Sequence, residues 1–76
     1  MIEFLEFIAK HLVDHPDQVK IEAGEKEDRA VLKLGVAAED IGKVIGKKGR
    51  TAQAMRVLLA AVAAKEGKRV LLEIND

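Results

Sequence analysis

Two glycines bracket two lysines at Gly46-Lys47-Lys48-Gly49, a pattern suited to chemistry with an anion. Ile41, Val44 and Ile45 precede these residues, and Met55, Leu58 and Leu59 follow at helical spacing. Glycine enters left-handed backbone conformations freely and lets another backbone approach with no Cβ between them. A helix beginning near Arg50 would turn its free N–H groups and its positive dipole end toward the same place. Lys43, Lys47, Lys48, Arg50 and Arg56 add charge nearby. Together these features suit a backbone-level grip on phosphates. The plainer reading is a tight turn between two helices, since Gly-x-x-Gly alone is a common pattern.

Other residues that could do chemistry have weaker support. His11 and His15 share a helical face at i, i+4, a spacing that can hold zinc. No third ligand accompanies them, and Leu12 stands where a hydrolytic zinc helix carries Glu. Histidines in a last helical turn also complement the helix dipole. Glu39 and Asp40 are adjacent carboxylates, but with no nucleophile beside them they read as acids of a first helical turn. Gly42, Gly46 and Gly49 match neither GxGxxG nor GxxxxGK[ST]. Thr51 is the only Ser/Thr hydroxyl and cysteine is absent, so nucleophilic catalysis has almost nothing to use. Thr51 is expected to help cap a helix. We expect no enzyme, no metal, no cofactor and no small-molecule substrate.

The loop needs elements to hold it. Residues 2–13 form an amphipathic helix pattern, with Ile2, Leu5, Ile8, Ala9, Leu12 and Val13 on one side. Asp14-His15-Pro16 ends it. Phe4 and Phe7, the only aromatics, are expected in the core or against a second subunit. Val19–Ala23 and Arg29–Val36 alternate as half-buried strands, joined by a polar five-residue loop at Gly24–Asp28. A short helix is expected near Glu39–Ile45. A longer one follows over residues 50–66, with Ala52, Met55, Leu59 and Val62 inward and Gly67 past its end. Val70, Leu72 and Ile74 mark a last strand. The order αββααβ predicts an α+β fold, with three helices packed on one face of a three-stranded sheet.

Composition bounds the rest. Seventy-six residues suggest one domain, 1–76, of modest stability, for which an oligomer would be natural. Net charge is zero, yet residues 41–65 carry six basic side chains and no acid, leaving seven basic and thirteen acidic residues elsewhere. A segregated basic segment attracts phosphate locally even on a neutral chain. Such a segment can also be merely a solvated helical face. The longest apolar run, Val57–Ala64, is far shorter than the ~20 residues of a membrane span. Glu3 and Glu6 interrupt the N-terminus as a secretory leader would not. With no cysteine, a cytoplasmic setting is expected.

Val44-Ile45-Gly46-Lys47-Lys48-Gly49-Arg50, followed by Ala52 and Met55, resembles the signature of KH domains: Ile-Gly-x-x-Gly between two helices. Ala52 stands where Ile is usual. The element order is similar to the type II, bacterial arrangement. The opening MIEFLEFIAKHLVDHPDQV, the centre VAAEDIGKVIGKKGR and the ending KEGKRVLLEI resemble the bacterial single-KH KhpA family. The resemblance implies single-stranded RNA as ligand and a role as RNA chaperone or post-transcriptional regulator linked to cell shape and division. It implies pairing of the chain with itself or with a larger KhpB-like KH protein. It implies that Gly46, Lys47, Lys48 and Gly49 hold the RNA backbone. Ile41, Val44 and Ile45 would contribute to a groove floor, with the second strand as its opposite wall. Lys43, Arg50 and Arg56 join the expected site on charge and proximity. Two alternatives remain: a KH-fold scaffold with little nucleic-acid binding, and single-stranded DNA as ligand.

Overall fold

A computed structural model describes residues 1–75. Helix α1 (Ile2–Leu12) leads through a 3-10 turn (Pro16–Gln18) to strands β1 (Lys20–Lys26) and β2 (Arg29–Gly35). A second 3-10 turn (Ala38–Asp40) opens α2 (Ile41–Ile45). The Lys47–Gly49 turn then joins it to α3 (Arg50–Lys65), and β3 (Arg69–Ile74) follows. The expected αββααβ order holds.

The strands lie in the order β1-β2-β3. β1 and β2 are antiparallel, and β2 and β3 are parallel. The parallel pair is possible because α2 and α3 carry the chain back across the sheet before β3 begins. Asn75 closes the end of this pair. Its N–H donates to the Leu34 carbonyl at 3.0 Å, and its Oδ1 accepts from the Val36 N–H at 3.0 Å.

The three helices cover one face. Leu5, Ala9 and Val13 of the first helical segment meet Leu32, Leu34 and Leu72 of the sheet, with Val44, Met55 and Leu59 from α2 and α3. The inward stripe of α3 is Ala52, Met55, Leu59 and Ala63, with Val62 only half-buried beside it. Gly67 ends α3 as expected, in a left-handed conformation with φ +69°. Its N–H bonds the Ala64 carbonyl at 3.0 Å and the next N–H, of Lys68, bonds Ala63 at 2.9 Å. This pair of bonds satisfies carbonyls that the helix end would otherwise leave free.

Two expectations are corrected. The hairpin loop is two residues, Glu27-Asp28, and not five: Gly24, Glu25 and Lys26 pair with Val31, Ala30 and Arg29. Glu27 and Asp28 take φ of +52° and +65°, as a tight primed turn requires. All of Glu22–Lys26 is exposed, so this part of the strand has no apolar alternation to read. Phe4 and Phe7 are not core residues. Phe4 is 37% and Phe7 62% exposed, and the Phe7 ring lies 4.3 Å from the His11 ring, centroid to centroid.

Candidate nucleic-acid interface

The α2–α3 turn is built on backbone conformations that most residues avoid. Gly46 has φ +79°, Lys48 +57° and Gly49 +74°. Gly46 is needed twice over: a Cβ there would lie 2.7 Å from the Thr51 Cβ and collide with its hydroxyl. Gly49 faces open space, so only its dihedral angle asks for glycine. Thr51 therefore packs behind the first glycine, and makes no capping hydrogen bond at the start of α3.

The turn consumes two of its amides and leaves two open. Gly46 N–H donates to the Gly42 carbonyl at 2.9 Å and Gly49 N–H to the Gly46 carbonyl at 3.1 Å. The Lys47 and Lys48 amides bond no backbone acceptor among the described residues. Lys47, Lys48 and Arg50 are exposed and form no ion pair among those residues. Open amides, unpaired cations and the start of a sixteen-residue helix converge on one small surface. Such a surface favours an anion with several acceptor oxygens.

α2 is short, and its position depends on a residue whose role the sequence hid. Asp40, expected to act only as a first-turn acid, is fully buried. Its carboxylate accepts from the Asp14 N–H at 3.2 Å and the His15 N–H at 2.9 Å, and lies 3.4 Å from the Lys43 ammonium. Burial pushes the Asp40 carboxyl pKa upward. The two amides and Lys43 outweigh that, and the value falls below its usual range. Lys43 also pairs with Asp14, and that bond, opposed by burial and aided by Asp40, raises its pKa. The cluster ties the end of α1 to the start of α2. His15 adds a 3.2 Å contact to Glu39, while His11 Nδ1 bonds the Phe7 carbonyl at 2.8 Å.

The site residues expected from sequence divide accordingly. Gly46, Lys47, Lys48, Gly49 and Arg50 lie together at the turn. Ile41 and Ile45 are half-buried and show apolar surface beside it. Val44 is fully buried in the core, so it supports the turn from behind and offers no groove floor. Lys43 is committed to Asp14 and Asp40 and adds no free charge. Arg56 lies farther along α3, on the side facing β3, where it reaches the Leu72 carbonyl at a long 3.5 Å. The opposite wall is also revised. β2 is the central strand, paired on both edges, with Leu32 and Leu34 buried. The strand with an open edge beside α3 is β3.

An αββααβ fold with this glycine-bracketed turn between its second and third helices defines a KH domain. The model of the family described as KhpA/KhpB, KH domain, matches residues 2–74, and the chain belongs to that family. It is 52% identical over 75 residues to a Borreliella burgdorferi protein, covering 99% of this chain and 92% of that one. It is 53% identical over 74 residues to a Clostridium acetobutylicum protein, covering 97% and 99%. An Aquifex aeolicus protein is 47% identical over 74 residues, covering 97% and 94%. Each of the three is named RNA-binding protein KhpA. Among the described residues no helix is long and apolar enough to cross a membrane.

Proposed function

We propose that this chain is a single-stranded RNA-binding protein, acting as one KH domain over residues 1–76, that grips the RNA backbone at Gly46–Gly49. The observation that carries this reading is the turn itself: open Lys47 and Lys48 amides beside unpaired lysines, at the start of α3. Ile41 and Ile45 flank the bound strand, Arg50 adds charge, and Arg56 marks the way along α3 toward the β3 edge. The names of the relatives support RNA as the ligand. No Trp or Tyr is present to stack bases. Affinity then rests on phosphate contacts, with weak sequence preference and a marked salt dependence. The chain acts without catalysis, in the cytoplasm, as an RNA chaperone or regulator; the link to cell shape and division comes from the family resemblance.

A single weak module gains affinity when a second is held near it. Pairing with another copy, or with a KhpB-like partner as the family name suggests, supplies that second module. Ile2, Phe4 and Phe7 on α1, with Val57 and Leu58 on α3, are exposed and favour a protein contact. Those residues also support the second reading, a scaffold of KH fold. Lys47→Asp/Lys48→Asp separates the two. Affinity for a short single-stranded RNA should fall by at least about tenfold, with an unchanged melting temperature, because exposed loop charges contribute little to stability. Undiminished binding would remove the turn from the interface.

A further inference from the structure

The strand register sets out side chains on the outer face of the sheet in rows. Leu32, Leu34 and Leu72 face the helices, so the residues alternating with them face away. Glu22, Lys33 and Glu73 stand side by side, and charge alternates along the row. Gly24, Val31 and Leu71 form an apolar row next to it. Lys26, Arg29 and Arg69 form a third row, and all three are positive.

Like charges directly opposite one another across a sheet are destabilising. Folding therefore gives no reason for the third row, while the first shows that this same sheet accommodates alternating charge. Lysines on edge strands can guard against edge-to-edge aggregation. Arg29, however, lies in the central strand and has no edge to guard. None of the three forms an ion pair among the described residues. The acids of the turn, Glu27 and Asp28, lie next to the row in sequence and remain unpaired with it.

The surface here is concave. A hollow of about 200 Å³ is lined by Lys26, Glu27, Arg29, Val31 and Leu71. A second, of about 340 Å³, shares Lys26, Val31 and Leu71 and extends to Lys33 and to the acids Glu22, Glu25 and Glu73. Lys26 and Arg29 thus stand at the cationic end of an apolar floor whose far end, past Lys33, is acidic. The location also fits the proposed RNA path. α3 starts at the glycine turn, runs sixteen residues, about 24 Å, and ends four residues before Arg69 at the open β3 edge.

We propose that Lys26, Arg29 and Arg69 form a second phosphate-contacting site for the same RNA strand, with the exposed Leu71 as an apolar contact for a base. The strand leaves the glycine turn, follows α3 and the β3 edge, and wraps onto the outer face of the sheet. This rests on the RNA reading above.

The test compares oligouridines of four and ten nucleotides by fluorescence anisotropy across a salt series. The proteins are the native chain, Lys26→Gln/Arg29→Gln/Arg69→Gln, and Lys47→Asp/Lys48→Asp. The native chain should bind the longer RNA more tightly. The row variant should bind the four-mer unchanged and the ten-mer about tenfold more weakly, its salt slope reduced by about 2 for three lost contacts. It should melt no lower than the native chain, since like charges are removed. If it does melt early, Arg29→Gln alone should show the same selective loss on the ten-mer. Equal losses on both lengths, or none on the ten-mer, overturn the second site while leaving the turn in place. Undiminished four-mer binding by the Lys47→Asp/Lys48→Asp variant overturns the turn reading. No binding by the native chain overturns both.

Discussion

Gly46 and Gly49 look equivalent in the motif and are unequal in the fold. Both have positive φ, but only Gly46 is pressed against Thr51. Gly49→Ala should cost roughly 1–2 kcal/mol, the strain of a left-handed residue bearing a Cβ. Gly46→Ala carries the same strain plus a collision, and should be clearly more destabilising in a denaturant melt. Equal losses would contradict the packing of Thr51 behind the turn. Asp40 gives a pH signature. Its folded pKa lies below the ordinary value, so its contribution is present above about pH 4 and fades as pH falls through the folded value. Asp40→Asn should lower the melting temperature at pH 7, and the gap to the native chain should narrow below pH 4. A gap independent of pH would mean that the carboxylate charge is not what holds α1 to α2. The glycines and lysines were legible because their own chemistry limits their use. Asp40 and Lys43 were not, because their deciding partners lie 25 to 29 residues away.

At the scale of elements, apolar periodicity carried the reading wherever one face of an element is buried. It placed α1, α3 and β3 to within a residue or two, and Gly67 marked the end of α3 by backbone freedom alone. It failed at Gly24–Lys26, where the strand is exposed and its residues look like a loop. The two-residue turn makes its own prediction. Asn-Gly suits a primed turn far better than Glu27-Asp28, because both central residues need φ > 0. Glu27→Asn/Asp28→Gly should therefore raise stability by roughly 1 kcal/mol. A loss would indicate the longer loop. The strand order was hidden for a different reason: periodicity identifies strands but not their order, and only the sheet shows that β2 is central, with β1 and β3 at its edges.

For the whole molecule, zero net charge conceals a division of labour. The unpaired cations Lys47, Lys48 and Arg50 gather at the turn, while Lys43, in the same basic segment, is neutralised by Asp14 and Asp40. Counting charge along the sequence could not make that distinction. The two phenylalanines were ambiguous for a similar reason, since helical spacing does not say which flank of α1 is covered. Under the proposed pairing, their exposure offers them to a partner. Phe4→Ser/Phe7→Ser should leave the fold intact and reduce the mass measured by sedimentation at micromolar concentration toward that of one chain. An unchanged mass, with the native chain already dimeric, would move the interface off this helix.

The central claim is that the glycine-bracketed turn holds RNA. The most direct measurement is a nitrogen–proton NMR titration of the native chain with a short, mixed-sequence single-stranded RNA at low salt. We predict shifts centred on Gly46–Gly49 and the first turn of α3, with Ile41 and Ile45 beside them, that weaken as salt rises. Shifts confined to other surfaces, or none at millimolar RNA, would contradict the account.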